Sequence, residues 1–441
     1  MIRFIGLDVH KRIVQACLLG GGGEVLGERR FELSRERLVT FAETSLGGED
    51  QVVLEATTNT WAIVEVLTPY VGRVVVSNPL TTKAIAQSKV KTDKVDAQVL
   101  AQLLRLDYLP KVWQPDPATR ELRRWCSRRS RLVGQVTAVK NRIHAIFHQR
   151  LLVPPVNDLF GSKGRKWLTE VELDGEGRFF VDSDVQLLAA LEAEIAAMDQ
   201  VLAQKGYADG RVKLLMTLPG VNVLVAQALL AALGDVSRFR DGAHAASYLG
   251  LVPSTKQSAD RCYHGPITKA GRGQTRWMLI QAAQHVRLHA GPLGVFFRRL
   301  ARKKNYNVAV VAAARKLVVI AWHMLTRNEP YRYAQPKATQ SKLSRLRVKA
   351  TQQKRKSGPK GGSRARSKLG PGIRTQTTKP LAQVLAEENL PALPPLSAGE
   401  AHMVGAMGCE TYVAGLARSH VTAKRSGRCA TVAKPRSGAE S

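Results

Sequence analysis

Carboxylates are scarce in this 441-residue chain: 35 Asp and Glu stand against 67 Lys and Arg, a formal net charge of +32. That imbalance is too large for an ordinary soluble enzyme and points to a polyanionic partner, most simply nucleic acid. A membrane surface is also anionic, but no amphipathic anchor or lipidation signal accompanies the charge, so no membrane partner is expected. No apolar run near 18 residues and no signal peptide is evident, which reads as a cytoplasmic protein. Cysteine is sparse as well: five, at 17, 126, 262, 409 and 429, odd in number and scattered. They suggest neither a disulfide framework nor a zinc site, and Cys262 with His264 is a lone C-x-H lacking a second pair. The length allows two or three domains with cores of their own.

What the chain does have is one stretch around which the rest can be organised, Lys91-Thr92-Asp93-Lys94-Val95-Asp96-Ala97-Gln98-Val99-Leu100-Ala101-Gln102-Leu103-Leu104. Its apolar residues follow a helical period and give one buried stripe. Asp93 and Asp96 are three apart, so in a helix both carboxylates face the same way, about 5–6 Å apart at Cβ. Two readings are open. They are solvated acids of a first turn, favoured by the helix dipole, or they share a cation that relieves their repulsion.

Residues 1–110 read as an α/β layer domain. Three strands in meander (3–10, 12–19 and 24–33) precede alternating strands and helices, which suggests a mixed sheet covered by helices. Two carboxylates occupy strands that should be buried: Asp8 ends the first, and Glu55 follows the apolar run Val52-Val53-Leu54. An ionised carboxylate is costly in a core unless it pairs or binds metal, although a strand end can also reach solvent. Together Asp8, Glu55, Asp93 and Asp96 make a candidate four-carboxylate cluster for Mg²⁺ (or Mn²⁺). Hard oxygen ligands suit such ions, and two of them can clamp the attacking and leaving oxygens of a phosphodiester. Lys91 and Lys94, with Lys83 and Lys89, would hold a nucleic-acid backbone nearby.

These residues resemble the N-terminal domain of the DEDD transposases, the insertion-sequence "one-ten" family. The matching pieces are Gly6-Leu7-Asp8-Val9-His10-Lys11, Leu54-Glu55-Ala56-Thr57, Ser77-Asn78-Pro79 and Lys91-Thr92-Asp93-Lys94-Val95-Asp96-Ala97, the last being the most specific. The resemblance implies an RNase H/RuvC-like fold with Asp8, Glu55, Asp93 and Asp96 as its four acids. Where the family often has Gly soon after the Glu, this chain reads Thr57-Thr58-Asn59-Thr60-Trp61.

Residues 111–210 are expected to be a helical linker or coiled coil. One long helix spans about 118–151, a connection rich in turn signals follows over 153–183, and a second amphipathic helix covers 184–204. The two could form an antiparallel hairpin or a dimer coiled coil. Arg124, Arg128, Arg131 and Lys140 belong to a one-sided run of charge on the first helix, where a solvated face would normally mix signs, so nucleic-acid contact is expected there.

Residues 211–330 read as a compact, mainly α domain. Leu218-Pro219-Gly220-Val221-Asn222 is either a helix-hairpin-helix turn, able to hold a phosphate on backbone N–H groups, or a plain helix–helix turn. Leu249-Gly250-Leu251-Val252-Pro253 and Gly265-Pro266-Ile267-Thr268-Lys269-Ala270-Gly271 resemble the C-terminal transposase domain of the same family. That domain carries a serine that attacks DNA covalently, and matching outward from both blocks places it at Ser258. The family usually has Gly after this serine and here Ala259-Asp260 follow, so Ser254 is the alternative. Arg261, Lys269, Arg272 and Arg276 are candidates to neutralise the scissile phosphate. From about Pro330 the composition shifts. Residues 331–441 hold about half of the excess positive charge and read as a basic, largely disordered tail with non-specific nucleic-acid affinity.

The resemblance implies a DNA transposase that uses a metal-assisted phosphoserine intermediate, an element-encoded guide RNA pairing with donor and target DNA, and a dimer or tetramer to bring two DNA sites together. It would be nucleoid-associated when bound. Two other readings stand beside it: a metal-dependent nuclease, junction resolvase or DNA invertase using the four acids alone, and a non-enzymatic nucleic-acid-binding protein.

Overall fold

The computed structural model describes residues 2–85, 92–353 and 373–425, with backbone only for 373–377 and 420–425. The chain divides into two compact units, Met1–Pro115 and Asp116–Ser441.

The first unit is built on a mixed five-stranded sheet. Its elements are β1 (Phe4–Val9), β2 (Ile13–Leu19), β3 (Val25–Glu32), α1 (Arg35–Ser45), β4 (Gln51–Glu55), α2 (Thr60–Leu67), β5 (Arg73–Ser77), α3 (Pro79–Ile85) and α4 (Asp93–Arg105). The strand order is β3-β2-β1-β4-β5. β1, β2 and β3 pair antiparallel as a meander, while β4 lies parallel to both β1 and β5. The central strands read as near-continuous apolar runs because both faces of the sheet are covered. Ile5, Leu7, Val52, Leu54 and Val76 pack with Phe41 of α1 and Ile63 and Leu67 of α2. Val53 and Val75 on the opposite face pack under Leu100, Leu103 and Leu104 of α4. After α4 the chain returns beside β5, where Val112 N–H donates to Val76 O at 2.7 Å and Gln114 Nε2 to Val74 O at 2.6 Å. The unit therefore runs past residue 110 to 115.

The second unit is mostly helical. It begins with α5 (Pro117–Gln149), α6 (Ser162–Glu170), α7 (Gly175–Ala208), α8 (Gly210–Leu215), α9 (Val223–Leu233) and α10 (Gly242–Tyr248). A hairpin of β6 (Pro253–Ser258) and β7 (Arg261–Ile267) follows, then α11 (Gly273–Gln284), α12 (Pro292–Lys303), α13 (Tyr306–Arg327) and α14 (Pro336–Thr351). Ion pairs joining Glu121 to Lys205, Arg129 to Asp199, Arg142 to Asp184 and Arg150 to Asp174 show that α5 and α7 run antiparallel within one chain. The stretch 153–183 is more than the connection expected, since it holds α6 and the first turns of α7. Its turn-type residues are caps: Asp174 accepts from Gly177 N–H at 2.7 Å.

α13 is long and apolar enough by length and composition to cross a membrane, a run the sequence reading did not pick out. In this fold it is a core helix, with Ala309, Ala313, Ala314, Leu317 and Ala321 fully enclosed by neighbouring helices.

The tail corrects the sequence reading over its described residues. α14 forms where a disordered basic tract was expected, and β8 (Ile373–Thr378), α15 (Leu381–Glu387), α16 (Ala398–Ala406), α17 (Glu410–Leu416) and β9 (His420–Arg425) follow it. Leu343 and Leu346 of α14, Leu381 and Leu385 of α15, Val404 and Leu416 join the main core of the unit. Averaged composition hides such sites: a few leucines at i, i+3 and i+4 spacing anchor a helix whose other residues are charged. Lys342 is anchored too. Its ammonium donates to Leu218 O at 2.6 Å and Val221 O at 3.1 Å, and burial brings it down to about 7.

Candidate functional site

Side-chain alternation along β1 sends Ile5 and Leu7 to one face and Gly6 and Asp8 to the other, where α4 lies. Asp8 therefore leaves the sheet end beside the first turn of α4. Thr92 caps that turn by accepting from Val95 N–H at 3.3 Å, and the turn carries Asp93 and Asp96. On β4, Glu55 is one step beyond Leu54, which pairs in register with Leu7, so Glu55 stands beside Asp8 on the neighbouring parallel strand. The hairpin after β1 brings a residue to which the sequence reading gave no role. His10 Nε2 lies 3.1 Å from Asp8 Oδ2 and 3.1 Å from Asp93 Oδ1.

Among the described residues, the donor atoms of Asp8, His10 and Asp93 all fall within 4.8 Å of one another. Glu55 and Asp96 lie outside that tight group. Asp96 still acts on Asp8 through its charge. Burial holds the Asp8 carboxyl above its usual range, His10 opposes the rise, and Asp93 and Asp96 add to it. Asp8 Oδ2 is buried and accepts no well-directed hydrogen bond, despite the nearby imidazole. An unsatisfied buried carboxylate oxygen facing two further acids is costly unless a cation completes it. The donors present therefore fit a divalent metal.

A groove of about 490 Å³ opens beside Asp93, lined by Arg29 and Arg30 of β3 and by Lys94. The two arginines were missed because an edge strand with alternating charge carries no local mark of what lies next to it. Lys94 pairs with Glu28 at 2.7 Å, and Lys91 lies outside the described residues.

In the second unit, Ser258 is the last residue of β6 and faces solvent at the hairpin tip, paired in register with Arg261. Ala259 in the turn takes a left-handed backbone, φ +48°, a conformation in which glycine is at ease and alanine is strained. Ser254 sits lower on the strand and donates its hydroxyl to Pro266 O at 3.1 Å. Arg261 and Lys269 are exposed near this hairpin. Arg276 instead donates to Leu249 O at 3.1 Å and Ala270 O at 2.7 Å, fixing the loop that carries Lys269. Arg272 is half-buried, and desolvation holds its guanidinium below the usual range.

Two transposase family models match the chain. DEDD_Tnp_IS110, described as a transposase, matches residues 5–150, and the model described as "Transposase IS116/IS110/IS902 family" matches residues 212–294. The chain belongs to this insertion-sequence transposase family. The transposase is 25% identical over 350 residues to the transposase for insertion sequence element IS1111A of Coxiella burnetii, covering 75% of this chain and 92% of the relative. It is also 25% identical to an uncharacterized 43.6 kDa protein of insertion element IS110 from Streptomyces coelicolor, over 76% of this chain and 96% of the relative. A pilin gene-inverting protein of Moraxella bovis is 26% identical over 64% of this chain and 81% of its own length. Family membership implies DNA as substrate, DNA recombination as activity, and a divalent metal.

On α5 of the transposase, the one-sided charge expected from sequence is partly consumed by the acids of α7, since Arg129, Arg142 and Arg150 are all paired. Arg124, Arg128 and Arg131 remain exposed, with no ion pair among the described residues. Lys140 lies over the Phe160 ring at 4.8 Å. Cys262 and His264 share a face of β7 with Sγ and Nε2 4.0 Å apart, and no third ligand joins them among the described residues.

Proposed function

We propose that this transposase cuts and rejoins DNA through a phosphoserine intermediate, with Asp8, Glu55, Asp93 and Asp96 holding a divalent cation, Mg²⁺ or Mn²⁺, and Ser258 as the nucleophile. The observation that carries the metal half of this reading is the convergence of Asp8, Asp93 and His10 around a buried, unsatisfied Asp8 oxygen. The strand order β3-β2-β1-β4-β5, with an antiparallel meander feeding two parallel strands, supports an RNase H/RuvC-like reading of the first unit. When bound, the ion would supply Lewis-acid stabilisation of charge on the phosphate oxygens.

The serine half rests on the hairpin. The Ser258 hydroxyl is exposed at a tip, whereas the Ser254 hydroxyl is engaged by a carbonyl. The left-handed Ala259 occupies the position at which the family usually has glycine after its serine, which supports aligning Ser258 with that serine. Attack by Ser258 Oγ forms a phosphoserine bond and releases the DNA 3′-oxygen as a hydroxyl. A 3′-OH of the partner strand then displaces the serine, so strands exchange without net hydrolysis. The pilin gene-inverting relatives favour this over a simple nuclease, since inversion requires both ends to be rejoined. The proposal extends, by resemblance, to an element-encoded guide RNA pairing with both DNAs and to a dimer or tetramer that holds two sites together. The exposed arginines of α5 and the +32 charge are consistent with that load of nucleic acid.

The test is to denature the protein in mid-reaction and identify the peptide bonded to DNA. A DNA-linked peptide containing Ser258, lost in Ser258→Ala, is expected. Normal cleavage and joining by Ser258→Ala would favour a nuclease or resolvase using the acids alone.

A further inference from the structure

We infer that His10 supplies a nitrogen ligand to the metal site, so that the bound ion is held by a mixed nitrogen and oxygen set and Mn²⁺ is preferred over Mg²⁺. The inference rests on the metal half of the proposed function and adds a residue to it. Its basis is the position of one ring atom. His10 Nε2 is 3.1 Å from an oxygen of Asp8 and 3.1 Å from an oxygen of Asp93. An octahedral ion with bonds of about 2.1 Å sets neighbouring ligands about 3.0 Å apart, so these spacings are those of adjacent ligands around one centre.

The backbone explains why the ring is there. Gly6, Asp8 and His10 follow the strand alternation that faces α4, and His10 N–H donates to Ile13 O at 2.9 Å to close the β1–β2 hairpin. The hairpin thus delivers the imidazole to the open side of the acids, with the ring half exposed. Asp8 Oδ2 remains without a directed hydrogen bond although the imidazole is near. A single ring N–H cannot point squarely at Asp8 and Asp93 at once, whereas one ion among the three atoms accounts for both 3.1 Å spacings. Imidazole is a common ligand for transition metals, while Mg²⁺ is served by carboxylate, carbonyl and water oxygens. Replacing one oxygen by nitrogen therefore moves the preference toward Mn²⁺.

The experiment uses the full chain without DNA, loaded with Mn²⁺ and read by pulsed electron paramagnetic resonance and by titration. A ¹⁴N hyperfine coupling is expected on the bound ion, changing to ¹⁵N when histidine is labelled. His10→Ala should bind Mn²⁺ about tenfold more weakly or worse, lose the coupling, and change little in Mg²⁺ affinity. Wild-type protein that binds Mn²⁺ with no nitrogen coupling, or a coupling that survives His10→Ala, overturns the inference while leaving the acid site standing. Mn²⁺ affinity unchanged in Asp93→Asn/Asp96→Asn overturns the acid-site reading itself.

Discussion

Gly6 of β1 meets the backbone of Ala97 in α4 with no room for a side chain: a Cβ placed on Gly6 would stand 2.0 Å from the Ala97 carbonyl oxygen and 2.7 Å from Ala101 N. Glycine here is a matter of close approach. It lets the helix lie directly on the strand, and that contact sets Asp93 beside Asp8. Gly6→Ala should push α4 off the sheet, cost about 1–3 kcal/mol of stability, and weaken Mn²⁺ binding. Gly21→Ala, where a Cβ meets nothing within 4 Å, is the matched control and should change neither. Denaturant midpoints and metal titrations of both variants decide it.

Asp93→Asn and Asp96→Asn should each lower strand exchange by at least about a hundredfold, the scale of losing one preorganised electrostatic contact. Chelation should abolish activity and added Mn²⁺ or Mg²⁺ restore it. Undiminished transposition by the double variant would remove both catalytic readings and leave a nucleic-acid-binding protein.

Ala259 holds a left-handed backbone that costs a non-glycine residue about 1–2 kcal/mol. Ala259→Gly should relieve part of that strain and stabilise the hairpin, seen as slower hydrogen exchange of the amides of β6 and β7. Faster exchange would show that the unfolded chain's added freedom outweighs the relief.

His289 is buried with Gly291 N–H donating to its Nδ1 at 3.1 Å and Tyr412 Oη 3.3 Å from its Nε2, a pattern that fits the neutral ring. Burial pulls it down to about 4, helped by Lys342. An unfolded histidine takes its proton near pH 6.5, whereas the folded one resists until about pH 4. The folded state's advantage is therefore complete above 6.5 and lost as pH falls from 6.5 through 4. Its size should be about 3 kcal/mol. The slope of stability against pH in that window should flatten in His289→Gln.

On α5, Arg124→Ala, Arg128→Ala and Arg131→Ala remove three exposed cations that carry no ion pair among the described residues. The triple arginine variant should weaken DNA binding and make it less steep against salt by about three charges. An unchanged salt slope, measured by fluorescence anisotropy, would remove α5 from the nucleic-acid interface.

The sequence by itself determined a good deal. Alternation and apolar runs settle the strands of the first unit, the helical period settles α4 and α5, and the charge balance names the class of partner. Asp8 and Glu55 stood out for the same reason: a carboxylate on an apolar strand is anomalous wherever the strand packs. Tertiary structure decided what depends on residues far apart in the chain. His10 looked like one more hairpin residue until β1 was laid beneath α4. Arg129, Arg142 and Arg150 looked like free cations until α7 brought Asp199, Asp184 and Asp174 against them. The described part of the tail looked disordered because its leucines are few, and only the core they enter shows that a few suffice. Local periodicity records which face of an element is buried. It carries no information about which distant surface does the burying, and ligand spacing, charge pairing and tail docking are all properties of that encounter.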